Sequence, residues 1–529
     1  MPSVRGDRAA RRAVARRRRT VSFAGVTVGL VAVVAAVAVW RFDLLGLQGS
    51  EGPAAAPDPN PFETRPGTPS PGSAPDPYPS PEPINTGIEG LTTFRGNATR
   101  TYYGRGPVPE DPKILWRYPA SGGMCSESSD AEGTRTWCGT GWTGQPNVVD
   151  PEKGPVQVRF GAYDRAVHVV HWKTGRDLYE PFVTGDLIKG TVTSDPDGYP
   201  LLYAGSRDNF LRVLALDRGD RPVELWKLSA DSAPNQVWND DWDGSPLVIG
   251  DYLLEGGENS WFYVVKLNRD YAADGKVTVN PQVRMMVPGY DDQLFAELGD
   301  QEVSIENSVA YDERRGVVYF ANSGGLVQGW RIADVLDGGK RHQRVFRFWT
   351  GEDTDASVVI DREGFLYVAS ELERFNPRSS QLGSVFKLDP GKPSDPVVWS
   401  IRVPETGPEG AGGVWATPGL YRNAVFVATN TGRILAINRE RGKIRWELSL
   451  PPPTWTSPVI VDGVLIVGDC AGVLHAYDLR GNPLKGPPRK RWSVQLEGCI
   501  ESTPAVWDGM VFVGSRGGAL YGIGDRAAG

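Results

Sequence analysis

The chain has 529 residues, 64 of them Gly, 43 Pro and 17 Trp, and a formal charge of −7 at pH 7. Residues 1–20 hold eight Arg against one Asp, which leaves −14 on residues 21–529, and so acidic a body excludes nucleic acid as a partner. The length calls for repeats or several domains, and the glycine and tryptophan content points to an all-β protein rather than a helical one.

Arg16 to Arg19 precede an uncharged run from Val21 to Trp40. Twenty residues in a helix reach roughly 30 Å, one bilayer core. The spacing predicts a cytoplasmic basic tail over 1–20 and a single-pass signal-anchor helix over 21–40, with the rest of the chain extracytoplasmic at the cell membrane. Ala36-Val37-Ala38 would serve as the cleavage site of the competing reading, a removed signal peptide, and residues after 41 lie outside the cytoplasm in either case. Twelve prolines between residues 53 and 83 predict an extended stalk, and the whole of 41–89 is assigned to it.

From residue 90 to 525 the chain repeats a unit: a small-polar-Pro opening, an alternating apolar strand, a Gly turn, a second strand and a last strand carrying Trp. Openings lie near Trp142, Gly190, Gly244, Glu306, Asp355, Trp415, Trp455 and Glu501. Trp349, Trp399, Trp446 and Trp492 follow one another at spacings of 50, 47 and 46 residues. Four short antiparallel strands per 40–50 residues make a propeller blade. The fold class is therefore all-β, an eight-bladed β-propeller of four-stranded antiparallel blades behind an N-terminal transmembrane helix; seven blades follow instead if 142–183 is an insertion. The last unit stops before its Trp strand, and Lys113–Tyr118 (KILWRY) supplies one, so this early segment is expected to close the ring.

Cys125, Cys138, Cys470 and Cys499 lack zinc-ligand spacing. Closeness in sequence pairs Cys125 with Cys138 and Cys470 with Cys499 in an oxidising compartment; in a reducing one they are four buried thiols. Propellers bind ligands at the channel mouth, and the openings bring Trp142, Lys189, Trp242, Asp243, Glu306, Asp355, Trp415, Trp455 and Glu501 there, flanked by Asp240, Asp241, Glu302, Glu352 and Asp353. Aromatic faces with carboxylates suit cations, basic peptides or sugars, and clustered carboxylates suit Ca²⁺. The same residues also serve as inter-blade core and turn caps. Asn239-Asp240-Asp241-Trp242-Asp243-Gly244 faintly resembles a Ca²⁺ loop without its terminal Glu, His168 and His171 point to opposite faces of a strand, and Asn97-Ala98-Thr99 is a glycosylation sequon.

Ala436-Ile-Asn-Arg-Glu-Arg-Gly442-Lys-Ile-Arg-Trp446 resembles the repeat of the pyrrolo-quinoline-quinone-like (quinoprotein-like) propellers, roughly Ala-x-Asp-x-x-x-Gly-x-x-x-Trp. Ala476-Tyr-Asp478 and Ala215-Leu-Asp217 match its first half, and Phe94-Arg95-Gly96-Asn97 with Tyr103-Gly104 and Leu115-Trp116-Arg117 resembles the way such propellers begin. The resemblance covers about 90–525. It implies either a non-enzymatic scaffold, like the outer-membrane-assembly lipoproteins, or a quinoprotein oxidoreductase holding pyrroloquinoline quinone (PQQ) and Ca²⁺ on the propeller axis. The dehydrogenases carry a disulfide between adjacent cysteines, and no two cysteines here are adjacent. The expectation is a membrane-anchored module that binds an envelope protein or small ligand at its face, with quinoprotein dehydrogenase activity as the alternative and no catalytic residue assigned.

Overall fold

The computed structural model describes residues 81–130, 133–141, 144–403, 406 and 412–526. The anchor at 21–40, most of the stalk and Trp142 lie outside the described residues. Among the described residues no helix is long and apolar enough to cross a membrane.

Eight sheets of four or five strands follow one another along the chain, each an antiparallel meander apart from one edge. Residues 142–183 are not an insertion: Asn147–Asp150, Gln157–Gly161 and Ala166–His171 are strands of the first blade. The second strand of a blade is apolar on both faces, as in Val464–Gly468, where every residue is buried, because it lies between two neighbouring blades. Three short α-helices, Asp292–Leu298, Ala333–Leu336 and Pro377–Leu382, sit in longer loops of the third to fifth blades.

The repeat's Gly and Trp meet across the seams. Trp399, in the outer strand of the fifth blade, donates its indole N–H to Arg439 O of the sixth at 3.0 Å. Trp446 does the same to Pro483 O at 2.8 Å and Trp492 to Pro109 O at 2.8 Å. The glycine of the following blade lies beneath the ring, so that a Cβ on Gly442 would stand 2.6 Å from Trp399 Cγ. Each indole thus buries a large apolar face and satisfies its one donor. In the fourth blade this place belongs to Phe346, which pairs with Gly329 as Trp446 pairs with Ala436. Trp349, which the sequence spacing puts in the series, instead bonds Gly324 O of its own blade at 2.9 Å; the phenylalanine offers the seam a ring without a polar atom.

The ring is closed by Pro112–Tyr118, which pairs antiparallel with Ala519–Asp525 as the outer strand of the eighth blade. Trp116 then docks on the first blade, donating to Trp172 O at 2.8 Å. The segment just before it threads the channel and bonds every blade. Glu89–Leu91 pairs with the first blade, Thr92 O accepts from Ser194 N of the second, and Thr93 Oγ1 donates to Pro246 O of the third. Ala98 O and Thr99 O accept from Tyr311 N and Ile360 N of the fourth and fifth. Arg95 reaches Thr417 O, Pro418 O and Pro458 O of the sixth and seventh, and Gly104 pairs with Val506 of the eighth. Arg95 and Arg100 are fully buried in this plug and are held by carbonyl oxygens. Burial pushes the Arg100 guanidinium down to about 9, with Glu255 opposing the shift.

Candidate functional site

Every opening enters its blade as extended chain, so side chains alternate between the channel and the seam. Ile188, Trp242, Ile305, Val414 and Ile500 take the seam positions and are fully or almost fully buried. Ile188, Trp242, Ile305 and Ile500 each lie against a glycine that ends a second strand: Gly161, Gly205, Gly256 and Gly468. The residues that follow, Lys189, Asp243, Glu306, Trp415 and Glu501, therefore face the channel, as do Asp355 and Trp455 in their own openings. Two residues further on, backbone N–H groups bond the hydroxyl of the next blade in a relay from Gln145 through Thr191, Ser245, Ser308, Ser357 and Thr417 to Ser457. This girdle fixes the radius at which the ring of side chains stands, and the plug fills the channel beneath it.

Between the second and third blades the ring is charge-paired. Lys189 Nζ bonds Asp243 Oδ2 and lies 3.9 Å from Glu258. Arg207 Nε holds Asp241 at 2.7 Å, and Asn239 donates to Asp241 at 2.9 Å and Glu258 at 2.7 Å. Asp241, Asp243 and Glu258 bring carboxylate oxygens within 4.8 Å of one another, the spacing of a metal site. A lysine and an arginine already occupy that charge, so a cation would have to displace both. Burial, then the neighbouring Glu258, push Asp241 up to about 7 against the pull of Arg207.

The sector from the fourth to the seventh blade is different. Glu306, Asp353, Asp355 and Glu371 act on one another electrostatically, and Arg374, which bonds Asp300 at 2.9 Å and lies 3.6 Å from Glu302, also acts on Asp353, as Lys189 does on Glu306. Burial first, and then mutual repulsion, raise Asp355, Asp353 and Glu371 well above the usual carboxyl range. Asp353 and Asp355 hydrogen-bond each other, which requires a proton between them. Trp415 Nε1 donates to Asp355 Oδ2 at 3.2 Å, and its ring meets Trp455 edge to face with centroids 4.8 Å apart.

On the remaining side, Arg516 lies over Trp137 at 4.6 Å and Tyr163 at 4.7 Å, and 3.6 Å from Glu501. Trp137 belongs to the hairpin strand Gly133–Cys138, clamped by the Cys125–Cys138 disulfide. Cys470–Cys499 is the second disulfide, and it joins a turn of the seventh blade to the opening of the eighth.

Asp243, Glu306, Asp355, Trp415, Trp455 and Glu501 are thus gathered on one ring. Trp242 is not among them: it is fully exposed to the core and not to solvent, packs on Tyr263 at 5.2 Å and donates to Asn209 O, because it stands one residue out of phase with the channel-facing positions. Trp142 falls outside the described residues. The Asn239–Gly244 stretch spends its side chains on Arg207, Lys189 and the core. His168 bonds Tyr118 and Asp164, and His475 bonds Asp469. Asn97 of the sequon is buried, with its amide bound to Glu82 O and Thr101. Sequence reasoning missed Tyr163, Arg207, Glu258, Glu371 and Asn430. All lie two residues past the end of a second strand (Gly161, Gly205, Gly256, Ala369 and Ala428), and that repeated offset was the available signal.

Residues 381–484 match the family model described as outer membrane protein assembly factor BamB. No curated protein sequence matches the chain. Among solved structures, the quinohemoprotein alcohol dehydrogenase from Comamonas testosteroni aligns with a TM-score of 0.53 at 13% identity, over 83% of this chain and 81% of its own. The quinohemoprotein alcohol dehydrogenase ADHIIG from Pseudomonas putida HK5 aligns with a TM-score of 0.55 at 12% identity, over 82% and 80%. The repeat and the ring together give this chain the fold of the quinoprotein-like eight-bladed propellers, with the BamB-type repeat in its fifth to seventh blades.

Proposed function

We propose that the chain is an extracytoplasmic binding or scaffold module, tethered to the membrane by its N-terminal segment, that engages an envelope protein or small ligand at the open mouth of the propeller. The observation that carries this reading is a set of buried polar atoms at the mouth that lack hydrogen-bond partners. Tyr163 Oη, Trp137 Nε1 and Trp455 Nε1 belong to the mouth, above the girdle. Buried polar groups are normally satisfied, and a bound partner supplies what these lack. Thr86 and Gly87, near the start of the described residues, donate to Pro196 O on the plug face.

The oxidoreductase reading asks the mouth to accept PQQ, a planar quinone bearing three carboxylates, beside a metal. The residues do not fit it. Lys189, Arg207, Arg374 and Arg516 each have acidic partners, and the four carboxyls from Glu306 to Glu371 would oppose another anion.

Crosslinking with mass spectrometry in the native envelope tests the proposal. Crosslinks from a recurrent partner should fall on the mouth loops, around 135–141, 186–189 and 496–501. Crosslinks confined to the plug face or the outer strands would overturn it, as would dye reduction by the purified chain after reconstitution with PQQ and Ca²⁺.

A further inference from the structure

We infer that the plug-face rim of the sixth and seventh blades docks on the headgroups of an anionic bilayer. This goes beyond the mouth and rests on the extracytoplasmic, membrane-tethered reading. Each opening descends from the mouth, so the turns that join first to second and third to fourth strands lie at the opposite end, the plug face. The third-to-fourth turn and the strand start of the sixth blade, 439–445, and those of the seventh, 478–491, together hold nine Lys or Arg against Glu440 and Asp478. The corresponding stretch of the second blade, 217–224, has two Arg against three acids, and that of the fifth, 389–396, has one Lys against two Asp. An acidic chain thus concentrates positive charge on two adjacent blades. The two turns are joined, since Arg422 Nη1 donates to Gly481 O at 2.6 Å and Trp446 Nε1 to Pro483 O at 2.8 Å, so one field covers both.

Part of this charge is spent inside the protein: Arg439 pairs with Asp361 at 3.0 Å, and Arg491 lies 3.7 Å from Glu110. Asp478 is taken by Arg480 at 2.6 and 2.9 Å, and Arg489, with 80% of its side chain exposed, lies 4.0 Å from the same carboxylate. Lys443, Arg445, Lys485 and Lys490 are exposed and have no ion pair among the described residues. Like charges held this close repel one another, and a surface carrying many negative charges relieves that repulsion. A bilayer fits better than an acidic protein because apolar atoms stand among the cations. Ile444 is 37% exposed between Lys443 and Arg445, and Pro487 is exposed two residues before Arg489. Cationic side chains beside exposed apolar ones match the boundary between headgroups and acyl chains. The described chain also begins on this face, where Thr86 and Gly87 donate to Pro196 O. Docked by this rim, the propeller turns its mouth away from the bilayer.

The test is amine acetylation of the full chain in nanodiscs of phosphatidylcholine, with and without phosphatidylglycerol, read residue by residue by mass spectrometry. Lys443, Lys485 and Lys490 should be modified more slowly with the anionic lipid, and about 0.5 M NaCl should remove the difference by screening. Lys227, on the outer strand of the second blade across the ring, should not change. Arg445→Gln and Arg489→Gln should each weaken docking about fivefold, seen as lost protection of the three lysines. Thermal melts of both variants should match the unsubstituted chain. Equal rates in the two lipids overturn the inference. Protection in the native envelope that anionic nanodiscs do not reproduce also overturns it, and assigns the rim to an acidic macromolecule. Alkaline carbonate extraction of native membranes tests the tether separately. A chain that resists extraction but shows no lipid protection keeps the tether and loses the rim. A chain that is extracted loses the tether, and its rim is then read by the same acetylation with added vesicles of the two lipids, protection upholding the rim and its absence overturning it.

Discussion

Trp116 and Trp172 meet across the seam at which the ring closes, the indole N–H of the first donating to the carbonyl of the second at 2.8 Å. Trp116 is contributed by a strand that lies some 400 residues from the strand it pairs with, so closure couples the beginning of the propeller to its end. Trp116→Ala should cost about 3–5 kcal/mol, as other large-to-small core changes do. Trp349→Ala, outside the seam series, should cost clearly less. Urea denaturation of the two variants side by side measures the difference, and equal losses would refute the assignment of the seam position.

Gly442 supplies the complementary surface to Trp399. It has φ +63°, and a methyl group there would stand 2.6 Å from the indole. Gly442→Ala is therefore expected to destabilise by about 2 kcal/mol through overpacking and backbone strain. In a Trp399→Ala background the added cost should shrink to the backbone component, which a double-mutant cycle reads directly.

Arg95 gives its guanidinium to three carbonyls of two blades and lies over the Tyr103 ring at 4.5 Å. Arg95→Met keeps most of the volume and removes the donors. Leaving those carbonyls unsatisfied should cost about 3 kcal/mol. A loss confined to hydrogen-exchange protection of the sixth and seventh blades' inner strands, with the outer strands unaffected, is the expected signature.

Protonation should favour the folded state in weak acid. Asp241, pushed up to about 7, and the raised Asp353, Asp355 and Glu371 all hold protons in the folded chain that the unfolded chain has released. Their contribution is fully present below the ordinary carboxyl range, about pH 4, and is lost as pH rises through each folded-state value, about 7 for Asp241. Asp291, held at about 2 by Arg347 and Arg344 once burial is overcome, acts in the opposite direction and only at lower pH. Thermal melts should thus give a Tm that falls between about pH 5 and pH 7, and Asp241→Asn should flatten that slope. A Tm that rises across the interval would contradict the burial of these acids.

The sequence by itself determined the kind of element and narrowed the blades to eight or seven. Eight openings, the alternation inside each strand and the Gly and Trp of the repeat are near-neighbour features, and near-neighbour spacing is what dihedral preference and side-chain period act on. The two disulfides, which pair Cys125 with Cys138 and Cys470 with Cys499, follow the same local logic. The tertiary structure decided which of two adjacent residues faces the channel, and so sent Trp242 to the core and Asp243 to the ring. It also decided that Arg95 and Arg100 plug the axis, and that Glu371, in the short strand Glu371–Leu372 after a second strand, joins Glu306 and Asp355 from two openings. Those groups are brought together by closure of the ring, a constraint that acts through the whole circle of blades and leaves no mark in the spacing of any one of them.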